Sequence, residues 1–213
     1  MPKLSQIKKK IGETRLTGES LPEGKLYAQL PKEFLDVPYY RDTEKRWEFI
    51  KKYLRPDMKS FMDLGCSTGH YCFKLAEQGC VNVVGVDNDK NDISVASDIN
   101  DYYGYDIEFL FGDVIDLEFD VDLTLFLSTF QWLCKQHGLN KCKDFLSHLA
   151  DMTKFLFFET SGSDSMASLP EADSEEWISN LLESSGFTVI RKELLPAETG
   201  SNRWIYYCKS VKR

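Results

Sequence analysis

The sequence has little of what several large classes of protein require. No apolar run approaches the length of a membrane span. The opening MPKLSQIKKKIGE carries charge with no apolar segment behind it, so no secretory leader is expected and a cytoplasmic address follows. Six cysteines scattered over 213 residues do not make a disulfide scaffold and suit reduced, mostly buried thiols. The one metal-like spacing, Cys134, His137 and Cys142, lacks a fourth ligand, and no metal site is expected. No internal repeat or low-complexity tract interrupts the chain. A G-x-G-x-x-G turn is missing as well.

What is present fits one sizeable domain with appendages. A hydrophobic share of 42% against 28% charged residues is enough to bury a core at this length. The formal charge of −8 is unevenly spread: residues 1–60 hold 14 Lys and Arg against 9 Asp and Glu, the remainder 12 against 25. An acidic body is a poor clamp for phosphate backbones, so nucleic acid is a disfavoured partner. Residues 1–41 read as a basic N-terminal extension and candidate lid, with the first 25 or so expected to be a solvated tail, and 42–213 as the domain itself.

Along that domain, short apolar runs alternate with helical patterns. DTEKRWEFIKKYL sets Trp47, Ile50 and Leu54 on one face, with Asp42 or Thr43 as N-cap and Pro56 as the stop. SFMDL, VNVVGVD, IEFLFGD, DLTLFLS and KFLFFE read as five strands, with helices after the first two and around 139–151. Near-continuous apolar strands separated by helices indicate a parallel sheet covered on both faces. After the acidic-fronted helix DSEEWISNLLESSG come FTVIRKELL and RWIYYCKS, joined by the turn-rich PAETGSN. With no helix between them, these strands pair as a hairpin, and the last runs antiparallel within the sheet.

The stretch SFMDLGCSTGHYC, Ser60 to Cys72, is where chemistry is expected. In an open parallel sheet, ligands sit beyond the carboxyl ends of the strands at the switch point, which places Asp63 through Gly69 in the pocket. A dinucleotide wants glycines where Ser67 and His70 stand, and Asp63 would set a carboxylate beside its phosphates. A ligand with an ammonium and a sulfonium but no phosphate reverses that sign: Asp63 attracts it, and Gly65 and Gly69 let the chain turn beneath it. Asp87, ending VVGVD, suits a ribose, and Asp113, in FLFGDVID, suits the edge of an adenine.

DLGCSTGHY, VVGVDND, FGDVIDL and the strand DLTLFLS, taken in order, resemble the successive motifs of class I S-adenosylmethionine-dependent methyltransferases over residues 44–208. The resemblance implies an α/β, Rossmann-like, seven-stranded, mostly parallel sheet with an antiparallel last strand and helices on both faces. It implies S-adenosylmethionine as cofactor. By carry-over, Asp63, Gly65 and Gly69 would line the methionine end, Asp87 the ribose, and Asp113 with Val114 the adenine, with Cys66, Ser67, His70, Asn88 and Ser128 also in contact with the cofactor. Ser128 to Gln131 would face the sulfonium and the acceptor.

Methyl transfer needs alignment and dryness more than a conspicuous catalytic residue, with a base only where the acceptor loses a proton. His137, just past STFQW, and Glu159, at the tip of the fifth strand, are the base candidates. Tyr40, Arg41, Gln131, Trp132 and Arg203 are candidates for the acceptor wall, with Arg41, Arg46 or Arg203 pairing an anionic group. The turn lacks the Asn/Asp-Pro-Pro-Tyr/Phe of base-amine methylation and the Pro-Cys nucleophile of pyrimidine C5 chemistry, which leaves an oxygen, carboxylate or amine of a small or medium acceptor. Two alternatives stay open: a cofactor-binding regulatory protein without turnover, and an RNA (tRNA) methyltransferase.

Overall fold

The computed structural model describes residues 2–17, 26–31, 34, 39–41, 43–160, 174–196 and 202–213. Helix α1, Leu4–Thr17, is followed by two short parallel strands, β1, Leu26–Ala28, and β2, Tyr39–Arg41, and by helix α2, Glu44–Lys51. The main body then alternates: β3, Phe61–Leu64; α3, His70–Glu77; β4, Val83–Asp87; α4, Lys90–Tyr103; β5, Ile107–Phe111; β6, Val121–Leu127. Helices α5, Phe130–His137, and α6, Leu139–Met152, lead to β7, Thr153–Glu159. Helix α7, Glu175–Ser184, and strands β8, Phe187–Pro196, and β9, Asn202–Ser210, complete it.

Seven strands form one sheet in the order β5-β4-β3-β6-β7-β9-β8. β3 through β7 pair in parallel, whereas β9 lies antiparallel between β7 and β8, as the helix-free link between the last two strands required. The hairpin's connecting residues 197–201 lie outside the described residues. Among the described residues, no helix is long and apolar enough to cross a membrane.

Strand periodicity divides the core into two layers. Phe155 and Phe157 of β7 face one way, with Leu123, Leu125, Trp47, Ile50 and the buried side of α3. Leu156 and Phe158 face the other, with Phe126 of β6 and with Leu146, Leu149 and Leu182 of the opposite helices. Because both faces are covered, the central strands β3, β6 and β7 are largely buried along their length.

The first residues depart from the expected solvated tail. Ile7 and Ile11, one turn apart on α1, are 0% and 1% exposed, and Lys10 reaches α4, donating to the Ser94 carbonyl at 3.1 Å and pairing with Asp98. The basic character of the segment is real, but its charge meets the acidic body while the isoleucines pack. The physical reason is a short apolar stripe at i, i+4 spacing within a run dominated by lysine.

Candidate active site

The turn after β3 is held in shape by its neighbour strand. The amides of Gly65 and Cys66 both donate to the Val86 carbonyl, at 2.8 and 3.0 Å. Gly65, Ser67 and Gly69 all have left-handed backbones, with φ of 79°, 48° and 85°. A Cβ on Gly65 would stand 2.1 Å from Thr129 Oγ1, and one on Gly69 would stand 2.7 Å from the Phe109 ring. Both glycines therefore make room for the protein's own side chains. Gly65 also lines the cleft.

That cleft, about 580 Å³, opens at the carboxyl ends of β3, β4 and β6. Among the described residues, its carboxylates are Asp87, Asp89, Asp92 and Asp113 and its ammonium is Lys135. Asp87 is fixed by two amides, Ser67 N–H donating to Oδ2 at 2.8 Å and Asp89 N–H to Oδ1 at 2.9 Å. Burial pushes its pKa up, and these amides oppose the shift. Asp89 caps α4, accepting from the amides of Asn91 and Asp92. From the first turn of α4, Asp92 accepts the Ser67 hydroxyl at 2.7 Å; burial pushes its carboxyl up to about 6, with Ser67 opposing. Asp113 accepts from the Ile115 amide at 3.2 Å and lies 2.7 Å from His137 Nε2. Asn88, Val114, Ser128 and Trp132 also line the space.

Several expected residues sit elsewhere. Asp63 is 2% exposed beneath the turn, where the Cys72 thiol donates to it at 3.7 Å. Burial pushes its carboxyl up to about 7; the Cys72 contact opposes that and Asp87 adds to it. The negative charge facing the cleft thus comes from Asp87, Asp89, Asp92 and Asp113 rather than from Asp63. Cys66 is buried next to Cys72, both sulfurs lying against Gly85. His70 is buried between Thr43 Oγ1 at Nε2, 2.7 Å, and the Gln29 carbonyl at Nδ1, 2.6 Å. A carbonyl accepts only, so Nδ1 carries the proton and Nε2 takes the Thr43 hydroxyl. Burial holds the ring's pKa down at about 4, and Gln29 opposes this. His70 therefore ties the N-terminal segment to α3.

Glu159 is at the centre of a second cluster. It is 0% exposed; Oε1 accepts the Ser128 hydroxyl at 2.6 Å, and Oε2 accepts Arg46 Nε at 2.6 Å. Arg203 Nη1 stands 3.9 Å from Oε1. Gln131 is buried, its Nε2 donating to the Ser128 carbonyl at 2.7 Å and its Oε1 accepting from Thr160. The two base candidates are not brought together: Glu159 anchors the β6–α5 turn, and His137 stands beside Asp113. Trp132, 46% exposed with Lys135 over its ring, is the acceptor-wall candidate that faces the open cleft. Tyr40 and Arg41 lie on β2, and their side chains fall outside the described residues.

Sequence reasoning missed Asp89 and Asp92, and it assigned Arg46 to an anionic acceptor rather than to Glu159. Asp92 had a signal, since an acid three residues after a helix cap points back toward the preceding turn. Nothing local linked Arg46 to Glu159, which is 113 residues away.

A methyltransferase-domain family model matches residues 56–190, across the turn, the acid-tipped strands and the helices between them. The chain belongs to this family, the class I S-adenosylmethionine-dependent methyltransferases. Among characterised proteins it resembles the O-antigen chain terminator bifunctional methyltransferase/kinase WbdD of Escherichia coli, 31% identical over 104 residues. That match takes in 46% of this chain but 14% of the relative's length. A crystal structure of WbdD shares the fold with a TM-score of 0.73 at 23% identity, over 95% of this chain and 46% of that one. Magnesium protoporphyrin IX methyltransferase from Synechocystis PCC 6803, solved with bound SAM, gives 0.62 at 18% identity, over 79% and 77%.

Proposed function

We propose that this chain transfers a methyl group from S-adenosylmethionine to an oxygen, carboxylate or amine of a small or medium acceptor. The observation that carries the reading is the cleft's charge: among the described residues, Asp87, Asp89, Asp92 and Asp113 surround it, with Lys135 as its ammonium. Such a lining suits a cation-bearing nucleoside and opposes a diphosphate. When bound, S-adenosylmethionine supplies an electrophilic methyl group on a sulfonium.

In this reading, Asp87, already aimed by the amides of Ser67 and Asp89, accepts the ribose hydroxyls. Asp113, steadied by Ile115 and His137, reads the adenine edge together with the Val114 amide. The Ser128–Thr129 turn and Trp132 form the wall nearest the acceptor, where they align it and exclude water. Glu159 and His137 serve as anchors of Ser128 and Asp113, which assigns the base, where the acceptor needs one, to the acceptor's surroundings beyond these two. The likeness to an O-antigen chain terminator makes hydroxylated glycan ends the first acceptors to try.

Calorimetry with S-adenosylhomocysteine tests the cofactor assignment. The unsubstituted protein is expected to bind it, and a folded Asp87→Ala variant to bind about a hundredfold more weakly, from two lost hydrogen bonds to a charged group. Equal affinity would overturn the reading. Incubation with methyl-labelled cofactor and a cell extract separates an enzyme, which transfers label, from a binding protein, which does not.

A further inference from the structure

Ser128, the residue after β6, lies at the edge of the cleft with φ of 58°, a left-handed backbone for a residue that has a Cβ. Such a conformation persists only where neighbours over-determine it. Here one residue does so twice: the Ser128 amide donates to the Glu159 carbonyl at 2.7 Å, and its hydroxyl donates to Glu159 Oε1 at 2.6 Å. The next residue, Thr129, fills the space that a side chain at Gly65 would occupy. The position of Ser128 therefore sets how the β6–α5 turn meets the glycine turn across the floor of the cleft.

Glu159 is itself held from outside the sheet. Arg46, on the helix that precedes β3, is 1% exposed, donates through Nε to Glu159 Oε2 at 2.6 Å and reaches the Pro196 carbonyl through Nη1 at 3.4 Å. A guanidinium spans both acceptors from one planar group, which a lysine ammonium cannot do. We infer that Arg46 is a positioning residue for the cleft: acting through Glu159, it holds Ser128 in the left-handed backbone that fixes the Ser128–Thr129 wall against Gly65. The inference rests on the methyl-transfer reading of this cleft and adds to it a residue that touches neither ligand.

The test is a double-mutant cycle on S-adenosylhomocysteine affinity, using Arg46→Lys and Ser128→Ala in the full chain, with thermal unfolding recorded for each. Arg46→Lys keeps the charge and loses the fork; it is expected to weaken binding about tenfold, as a lost hydrogen bond to a charged group would. Ser128→Ala cuts the same tether at its other end, so the double variant should bind within about threefold of the weaker single one. Independent effects, multiplying to about a hundredfold, would overturn the inference. So would a lowered melting temperature with unchanged affinity, the signature of a merely structural ion pair. Should Arg46→Lys fail to fold, Glu159→Gln takes its place, with the same non-additivity expected against Ser128→Ala. A parent protein that does not bind S-adenosylhomocysteine sinks the methyl-transfer reading itself; a parent that binds while the variants are additive sinks only the role of Arg46.

Discussion

Replacing Asp63 with asparagine should make the protein more stable at pH 8 and leave it nearly unchanged at pH 4. The carboxyl is fully buried beneath the glycine turn with a thiol as its partner, and burial lifts it from an ordinary 3.8 to about 7. Its folded-state pKa is raised, so the unfolded chain releases the proton first. The group's contribution is fully present below the unfolded value and is lost as the pH climbs from about 4 through about 7. Carrying that difference through linkage gives an upper bound of about 4 kcal/mol above pH 7. Asparagine keeps the shape and hydrogen-bonding capacity without the ionisation. Urea unfolding of parent and variant at half-unit pH steps reads the effect as a difference, in which the other acids cancel. A gap that widens by about 2 kcal/mol or more in the variant's favour between pH 4 and 8 is expected. A variant destabilised by the same amount at every pH would refute the reasoning, since it would mean that the native carboxyl is ionised and held by something that asparagine cannot replace.

His70 works in the opposite direction: its pKa is depressed to about 4 in the fold, so its contribution is present above about 6.5 and lost as the pH falls toward 4. His70→Gln should therefore cost the most stability near pH 7.5 and the least near pH 4, measured by thermal unfolding at the two pH values. Gly65→Ala combines a left-handed backbone with a Cβ 2.1 Å from Thr129 Oγ1. A loss of about 2 to 4 kcal/mol is expected in denaturant titration, and Thr129→Ser should return only the part owed to the methyl group.

The order of strands and helices was legible because the runs were nearly pure: VVGVD, DLTLFLS and KFLFFE leave no competing period, and the lack of a helix between the last two strands dictates antiparallel pairing. Asp87 and Asp113 were legible for a related reason, since an acid that ends an apolar run at the carboxyl edge of a parallel sheet has only the crevice to face. Asp63 obeyed the same rule in sequence and broke it in space. A strand of four residues buried on both faces does not announce which way its third side chain points, and this one turns toward Cys72. The glycines were expected to make room for a ligand, but the groups packed against them are Thr129, just past β6, and Phe109, in the middle of β5, which leave no local trace. Helix α1 was obscured by its lysines. The tether from Arg46 through Glu159 to Ser128 joins α2, β7 and β6, a relation that only the folded topology creates.

The place of β9 between β7 and β8 makes the order of strands in the sheet differ from the order of synthesis. β8 leaves the ribosome first, yet its ladder bonds are all to β9, so it has nothing to pair with until nine more residues of strand have followed its connecting loop. Meanwhile the open flank of β7 presents Phe155, Leu156, Phe157 and Phe158 with one side of its backbone unmatched. A nascent chain paused after Pro196 would carry this sticky edge, which β9 covers in the finished sheet.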